Sequence, residues 1–529
     1  MKATYIDYRD TNSFSKTLLA YINGDQTLME YYGNKPDLDG FEKQISLKSS
    51  FSNRSVLVDS LLSQYGDLLD ESPLVLDNIL SLRNENAFTV TTGHQLNIFT
   101  GPLYFIFKIA CAIRLAKDLK AKFPDKDFVP VYWMASEDHD FEEINNTKVY
   151  GKKIVWDIPK VSGTGMMDTS SMESVVRQYI GMLGLSDNSS KLASFVEEAY
   201  SKGRNLADAT RVLVNSLFKE YGLVIVDADK KELKSVFKPI IEQDILEEKS
   251  FEAIAKTTQD LEDNGFSTQV YARECNFFYL TPEFRERIVK TDDGQYEVLH
   301  QNIFFTREEL QNEIECFPER FSPNVVMRPL YQEVILPNLA YIGGGAEIVY
   351  WLQFKANFDQ FGVPFPILVP RNSAMITDDT TASKIFRLDL TFKSVFKSTT
   401  ALQNEYVRRH TTHRLNLRDE WMELNAIFGK IKLRTHKIDA SLGPSTEAVK
   451  ARLKKAINNL EKKLLKADKR NHEDAMIQIE RVKDKLFPNG GLQERSENFA
   501  TLYVKYGDDF VKELVKHFNP LDFKFTILY

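Results

Sequence analysis

The chain has 529 residues, of which 43% are apolar and 27% are charged, and its formal net charge is −7. This length and composition are typical of a globular protein with two to four domains, and the negative charge gives no reason to expect nucleic-acid binding by the whole chain. The three cysteines form no CxxC pair and no apolar run reaches the ~18 residues of a membrane span, so we expect no zinc cage, disulfide framework or membrane anchor, and a cytoplasmic location.

The first 85 residues are predicted to be mainly helical, and a strand–turn–helix unit follows them. A short strand predicted over residues 88–92 ends at Gly93, and a second turn contains Thr100 and Gly101. A helix comes next, because apolar residues then recur with helical spacing. Backbone N–H groups and a helix dipole meet at such a turn, so this unit is able to hold an anion.

A charged cluster follows the next predicted strand, residues 129–133. It contains four acids and one histidine: Glu137, Asp138, His139, Asp140 and Glu142. Like charges this close along the chain repel one another, so such clusters are usually satisfied by a substrate ammonium, a metal or buried bases; a solvated loop is the alternative. Ligands of open α/β sheets bind beyond the carboxyl ends of the strands. If the two strands are neighbours, the cluster and the glycine turn face one crevice, which is our candidate active site.

A third informative stretch covers residues 327–349. Glu347 follows three glycines, which let a ligand approach the backbone before a helix predicted over residues 350–361. Arg371 ends a predicted strand and suits a carboxylate or a phosphate, with a salt bridge to core acids as the alternative.

Further short strands are predicted at residues 153–156 and 223–226, the second of them ending in acids that include Asp229. Strands that alternate with helices predict an α/β fold with a parallel sheet covered on both faces.

Beyond residue 375 the sequence changes to a coiled-coil pattern. Apolar residues follow a heptad seam over residues 417–438 and a less regular one over 449–486, with a Gly443-Pro444 turn between them. This predicts an antiparallel helical hairpin. A two-helix hairpin leaves apolar surface exposed, so we expect a homodimer formed through it.

The chain is therefore predicted to have three parts. They are an α/β core over residues 1–375 with insertions at about 160–205 and 265–325, a coiled-coil hairpin over 376–490, and a C-terminal segment over 491–529 that packs back on the core.

Three blocks of the sequence resemble those of the cysteine-adding enzyme family of bacillithiol biosynthesis, the BshC family. They are TGHQLNIFTGPLYFIFK at residues 92–108, WMASEDHDFE at 133–142 and RPLYQEVILPNLAYIGGGAE at 328–347, followed by Pro370-Arg371. The resemblance covers nearly the whole chain. The family is in turn similar to class I cysteinyl-tRNA synthetases and related cysteine ligases, whose Rossmann-like core is interrupted by connecting peptides.

The resemblance implies a ligase that joins the carboxyl group of L-cysteine to the glucosamine amine of glucosaminyl malate. Amide formation from a free carboxylate needs activation, so ATP is the expected co-substrate, through an adenylate or an acyl phosphate. No metal is predicted beyond the Mg²⁺ that accompanies ATP.

The residue roles that follow from the resemblance are of three kinds. The catalytic residues would be His139, Asp138, Glu137 and Asp140. The substrate-binding residues would be His94, Gln95, Glu142, Arg328, Gly344, Glu347, Tyr350 and Arg371, with Glu347 holding the cysteine ammonium. The nucleotide-binding residues would be Gly93, Thr100 and Gly101.

The chain departs from the synthetase pattern in its two signatures. Gly101 keeps the glycine of the histidine–glycine signature, but both histidines are missing, and Pro370-Arg371-Asn372-Ser373 stands where the lysine-rich loop would lie. Two other interpretations therefore stay open. One is a metal-dependent hydrolase that uses residues 137–140 as ligands, and the other is a non-catalytic coiled-coil scaffold.

Overall fold

A computed structural model describes residues 1–159, 162–271 and 273–529. Residues 160, 161 and 272, which fall within the predicted insertions, lie outside the described chain. The structure divides into two compact units, the first formed by residues 1–375 and 492–528 and the second by residues 376–491 with Tyr529. Among the described helices, none combines the length and the apolar character needed to cross a membrane.

The N-terminal region of the first unit is mainly helical, as predicted. Asp37 caps its second helix by accepting a hydrogen bond from the N–H of Gly40, and Pro73 opens its fourth helix. The elements are β1 (Ala3–Asp7), α1 (Lys16–Ile22), α2 (Leu38–Lys48), α3 (Arg54–Tyr65) and α4 (Pro73–Ser81).

The central region alternates strands and helices. Its first half contains β2 (Ala87–His94), α5 (Tyr104–Lys122), β3 (Asp127–Met134), α6 (Phe141–Ile144), β4 (Asn146–Val149), β5 (Lys152–Val155), α7 (Glu173–Gly181), α8 (Asp187–Ala199), α9 (Leu206–Phe218), β6 (Val224–Asp227), α10 (Lys231–Glu247) and α11 (Lys249–Asp263). Its second half contains β7 (Phe277–Leu280), β8 (Arg285–Lys290), β9 (Tyr296–Val298), β10 (Ile303–Phe305), α12 (Arg307–Cys316), β11 (Phe321–Pro323), α13 (Met327–Ile335), β12 (Asn338–Gly343), α14 (Gly345–Trp351), α15 (Lys355–Gln360), β13 (Ile367–Pro370) and β14 (Ala374–Ile376).

The second unit is helical, with α16 (Asp379–Arg387), α17 (Thr399–His410), α18 (Arg418–Ile438), α19 (Gly443–Asn471) and α20 (Glu473–Leu486). The C-terminal segment returns to the first unit with α21 (Ala500–Tyr506), α22 (Asp509–His517) and β15 (Lys524–Leu528), and β15 pairs antiparallel with β1.

A five-stranded parallel sheet forms the centre of the first unit, in the order β13-β12-β2-β3-β6. Numbered by their sequence, these strands read 3-2-1-4-5 from β6 to β13, which is the doubly wound order of Rossmann-like folds. The predicted α/β class is therefore confirmed. The strands β2 and β3 are direct neighbours, with Gly93 opposite Trp133, so the glycine turn and the charged cluster do leave the sheet side by side.

Three local predictions differ from the structure. The strand predicted at 153–156 forms as β5, but it pairs with β4 in a two-stranded hairpin outside the parallel sheet. The single helix predicted over residues 350–361 is wrong: α14 begins at Gly345, because the glycines end β12 and open the helix directly, and it ends at Trp351, before a separate α15 begins at Lys355. The second coiled-coil seam is interrupted at His472, between α19 and α20.

The second insertion carries an antiparallel sheet in the order β10-β9-β8-β7-β11. This sheet matters for the site, because β8 brings an arginine to the charged cluster that follows β3.

Candidate functional site

Two glycine-bearing strand ends meet where the strand order of the parallel sheet reverses. The strands β2 and β12 are parallel neighbours, and each is followed by a helix that packs on the sheet. A Cβ atom on Gly93 would lie 3.4 Å from Tyr341 Oη and 3.6 Å from Arg328 Nη1, and a Cβ on Gly344 would lie 3.0 Å from Glu347 Oε1. Reversal points of this kind are where open α/β sheets bind ligands. We use the name switch-point pocket for these two glycines and the side chains around them, Tyr341, Arg328 and Glu347.

A buried ion pair joins the helices that flank this pocket. Lys108 Nζ lies 2.6 Å from Glu347 Oε1 and donates to the carbonyl of Gly93 at 2.8 Å. Glu347 also accepts hydrogen bonds from Tyr341 Oη at 2.6 Å and from the N–H of Gly344 at 3.0 Å. Burial alone would raise the pKa of Glu347, but Lys108 and these donors hold it below its ordinary value. Its charge is thus already balanced, and its predicted contact with a cysteine ammonium would have to compete with Lys108.

Three buried nitrogen atoms near the pocket have no hydrogen-bond partner within the described residues. They are Arg328 Nη2, Arg371 Nε and His94 Nε2. Arg328 Nη1 donates to Gln332 at 3.1 Å, which leaves the second amino group free. Buried donors without partners are costly, and carboxylate or phosphate oxygens are the acceptors that fit guanidinium groups best.

Arg371 is also held by a buried carboxylate. Its Nη2 donates to Glu494 Oε1 at 2.7 Å, so the alternative of a salt bridge with a core acid is present as well. The Arg371 guanidinium and the His94 ring both lie against the ring of Tyr104. Burial, followed by the charges of Lys108 and Arg371, lowers the pKa of His94 well below its ordinary value. His94 is therefore neutral at physiological pH.

The charged cluster after β3 is satisfied by partners within the protein. Glu137 pairs with the buried Lys234 of α10. Asp138 Oδ2 accepts a hydrogen bond from Gln95 Nε2 at 2.7 Å, and Gln95 thereby links the two strand ends. Among the described residues, no group of three or more histidines, cysteines or acids is arranged to hold a metal ion.

Three further predicted site residues, two in this stretch and one in α14, take no part in these contacts. Asp140 is exposed and caps α6 by accepting a hydrogen bond from the N–H of Glu143 at 3.3 Å. Glu142 is exposed in the same short helix. Tyr350 is partly buried in α14, and burial followed by the charge of Glu347 raises its pKa.

His139 contacts an arginine that sequence reasoning did not identify. Arg285 Nη1 lies 2.7 Å from His139 Nδ1, and Arg285 also donates to Ser322 Oγ at 2.9 Å. Because arginine has no acceptor, Nδ1 must accept, and the proton of the neutral imidazole lies on Nε2. A basic residue within an antiparallel strand gives no sequence signal for this contact, which spans 146 residues of chain.

Asp229 completes the cluster, although the sequence assigned it no role. It follows β6, beside the end of β3. Burial, followed by the nearby charge of Glu137, raises the pKa of Asp229 to about 7, against the opposing effect of Lys234. The signal available in the sequence was its place at the carboxyl end of a buried strand.

The backbone donors of the second turn are engaged within the protein. The N–H of Thr100 donates to Asn97 and that of Gly101 to Ile98, both at 3.0 Å. Asn498 of the C-terminal segment donates to the carbonyl of Gly101 at 2.7 Å. These bonds do not support a phosphate site at Thr100 and Gly101, since a phosphate would have to break them. An anion would find unpaired donors in the switch-point pocket, on Arg328 and Arg371, rather than at this turn.

Comparison with known proteins gives matches along the whole chain. Residues 1–372 match the family described as bacillithiol biosynthesis BshC, N-terminal Rossmann-like domain, and residues 374–529 match the BshC C-terminal coiled-coil domain. The chain is 40% identical over 531 residues to a protein of Flavobacterium johnsoniae, with 100% of both chains covered. It is 36% identical to a protein of Cytophaga hutchinsonii, with 98% of this chain and 97% of the relative covered. Both relatives bear the name "Putative cysteine ligase BshC".

Proposed function

The chain belongs to the BshC family of bacillithiol biosynthesis, and we propose that it is a ligase that joins the carboxyl group of L-cysteine to the glucosamine amine of glucosaminyl malate. The observation that carries this proposal is the switch-point pocket, where Arg328 and Arg371 each present a buried nitrogen atom without a partner. These atoms suit the oxygen atoms of a carboxylate or a phosphate.

The substrate acid and its activating group belong at the switch-point pocket. Arg328 and Arg371 would hold the anionic oxygens, while Lys108, whose charge is balanced by Glu347, would fix the end of β2 through its bond to the carbonyl of Gly93. Bound ATP would supply the activation that a free carboxylate lacks. The protein's own contribution is to orient the acid and to stabilise the negative charge that develops on its oxygens, in surroundings with little water.

The amine belongs at the charged cluster. An amine attacks only in its neutral form, and it loses one proton as the new C–N bond forms and the C–O bond to the leaving group breaks. Asp229 suits the role of proton acceptor, because a general base is most effective when its pKa lies near the working pH. His139, which Arg285 holds through its Nδ1, lies in the same cluster and would help to shape the binding site of the acceptor sugar.

Reconstitution of the reaction tests this proposal. The purified protein is incubated with L-cysteine, glucosaminyl malate and ATP, and the amide is detected by mass spectrometry after thiol labelling. The complete mixture should give a product that equals the sum of the two substrates minus one water. Product formed without ATP would overturn the role of ATP, and absence of product in every mixture would overturn the ligase assignment.

A pair of arginine substitutions tests the pocket itself. We expect Arg328→Met to reduce kcat/KM by ~10- to 100-fold, since a hydrogen-bonded charge in contact with an anion contributes on the order of 1.5–3 kcal/mol. The matched control is Arg83→Met, which removes an exposed arginine that pairs with the exposed Asp59. Equal rates for both variants would place the reacting acid outside the switch-point pocket.

A further inference from the structure

A chain of buried polar side chains leads from the N-terminal helices to Arg328. Lys48, at the end of α2, lies 2.8 Å from Glu333 Oε2, and both side chains are almost completely buried. Glu333 Oε1 accepts a hydrogen bond from Gln332 Nε2 at 3.0 Å. Gln332 Oε1 in turn accepts from Arg328 Nη1 at 3.1 Å. The contacts thus run without a gap from Lys48 to the arginine of the switch-point pocket.

The sheet anchors this chain from its other side. Asn338 donates to Glu333 Oε1 at 2.6 Å, and its own oxygen accepts hydrogen bonds from Thr91 at 2.8 Å and Thr89 at 3.1 Å. Glu333 therefore has a cation on one oxygen and two amide donors on the other. A buried carboxylate with this set of partners is fixed in place.

The chemistry of Glu333 fixes the direction of the Gln332 amide. An ionised carboxylate only accepts hydrogen bonds, so the Gln332 nitrogen must face Glu333 and its oxygen must face Arg328. If that amide were reversed, its NH₂ group would face the arginine, donor against donor. The orientation of Arg328, and the free direction of its Nη2, thus depend on the acceptor oxygen that the side chain at position 333 presents to Gln332.

Lys48 has a second effect on the charge that Arg328 presents. Glu333 is separated from Arg328 by a single amide, and in a buried setting its charge would offset that of the arginine for an incoming anion. The ion pair with Lys48 cancels the charge of Glu333. Arg328 therefore keeps its positive charge for a ligand, while it is still held by a neutral acceptor.

We propose that Lys48 and Glu333 are positioning residues that orient Arg328 and preserve its charge for a carboxylate or phosphate group bound in the switch-point pocket. This inference rests on the proposed function for the pocket and extends it to α2, outside the parallel sheet. Lys48 touches no reacting atom and acts only through Glu333 and Gln332.

Calorimetric titration of ATP and, separately, of L-cysteine tests this inference. Lys48→Met should weaken the binding of the ligand that contacts Arg328 by about tenfold or more, because it leaves a buried charge beside the arginine, and should leave the other ligand within about twofold. The double variant K48M/E333Q removes both charges and should recover affinity to within about threefold of the wild type. The matched control is Lys191→Met, which removes one partner of an exposed ion pair with Asp508.

Each outcome has a defined meaning. Equal loss of both ligands in Lys48→Met, or no recovery in the double variant, would show a general packing role and overturn the inference. If Lys48→Met does not fold, the Gln332→Met variant is titrated in its place. This change removes the hydrogen-bond acceptor of Arg328 and leaves the ion pair of Lys48 with Glu333 intact. Unchanged ligand affinity in Gln332→Met would also overturn the inference. If Arg328→Met itself leaves both affinities unchanged, the pocket assignment in the proposed function fails, and the inference falls with it.

Discussion

Asp229 is the acidic residue of the site whose ionisation changes near neutral pH. Burial and the charge of Glu137 both favour its protonated form and raise its pKa to about 7. Since an ordinary aspartate in an unfolded chain has a pKa of about 3.9, the native protein holds this proton more tightly than the unfolded chain does. The stability contributed by the protonated form is therefore present at low pH and is lost as the pH rises towards 7.

We expect Asp229→Asn to reduce kcat by ~10²- to 10⁴-fold, the range for loss of a general acid or base. The acidic limb of the wild-type pH profile, on which the rate rises as Asp229 loses its proton near pH 7, should disappear in the variant. The same variant should be more stable than the wild type at pH 8, by ~1–2 kcal/mol in urea unfolding, because no buried charge forms there. A wild-type rate and profile would remove Asp229 from the mechanism. Asp125→Asn, which alters an exposed loop, serves as the control.

From the sequence alone, candidate site residues can be found where they follow a predicted strand, but the distant residues that contact them cannot. Glu137 and His139 were predicted because they follow a buried strand, and a strand end can be read from an apolar run. Arg285 and Lys48 were not predicted, because their contacts with His139 and Glu333 join residues 146 and 285 positions apart. Nothing local in the chain encodes such pairs; they exist only because the insertions and the N-terminal helices fold against the sheet.

A loop of the first insertion lies directly against the charged cluster. The N–H of Thr164 donates to the carbonyl of Asp138 and the N–H of Gly165 to that of Ser136, both at 2.7 Å. A Cβ on Gly165 would lie 2.6 Å from Ser136 Cβ and 2.9 Å from its carbonyl oxygen. Backbone cannot yield as a flexible side chain does, so only glycine allows this approach.

We expect Gly165→Ala to displace this loop and to destabilise the protein by ~1–3 kcal/mol, the usual cost of overpacking. Turnover should fall together with stability, because the loop is bonded to the residue before Glu137 and to Asp138. Gly181→Ala at the end of α7 is the matched control, since a Cβ there meets no atom within 4 Å. Urea unfolding and steady-state rates measure both effects. A Gly165→Ala variant as stable and active as Gly181→Ala would show that the contact is not needed.

Among the larger elements, those with a strong periodic signal were predicted well. The strands β3 and β12 are nearly continuous apolar runs, which is the pattern of parallel strands buried on both faces. The strand β2 is buried as well, although its sequence AFTVTTGH includes three threonines. The start of α14 was missed because three glycines in sequence suggest a turn, whereas here Gly345 begins a helix that Glu347 stabilises by accepting from the N–H of Gly344. The pairing of β5 with β4 was missed because a short strand carries no information about its neighbour.

On the scale of the whole molecule, the coiled-coil hairpin has two apolar faces on α18. One face is the predicted seam, which is directed at α19: Thr435 Oγ1 lies 3.4 Å from Thr446 Oγ1, and Lys432 pairs with Glu447 at 2.7 Å. The other face carries residues spaced by four, three and four positions, which share one side of a helix with 3.6 residues per turn: Met422, Ala426, Gly429 and Leu433. The Met422 and Leu433 side chains on this second face are 53% and 68% exposed.

The predicted homodimer would bury this second face of α18 against its copy. Small residues at Ala426 and Gly429 allow two helices to approach closely, and a two-fold axis between them would make the contact self-complementary. We therefore expect light scattering to give about twice the 60.9 kDa chain mass. The double variant M422E/L433E should be monomeric with unchanged helix content, because it places like charges in the contact and leaves the α18–α19 seam intact. Leu185→Glu, at a fully exposed leucine of the first unit, should remain dimeric. A wild-type monomer at micromolar concentration, or a dimer that survives both glutamates, would show that this face has another use.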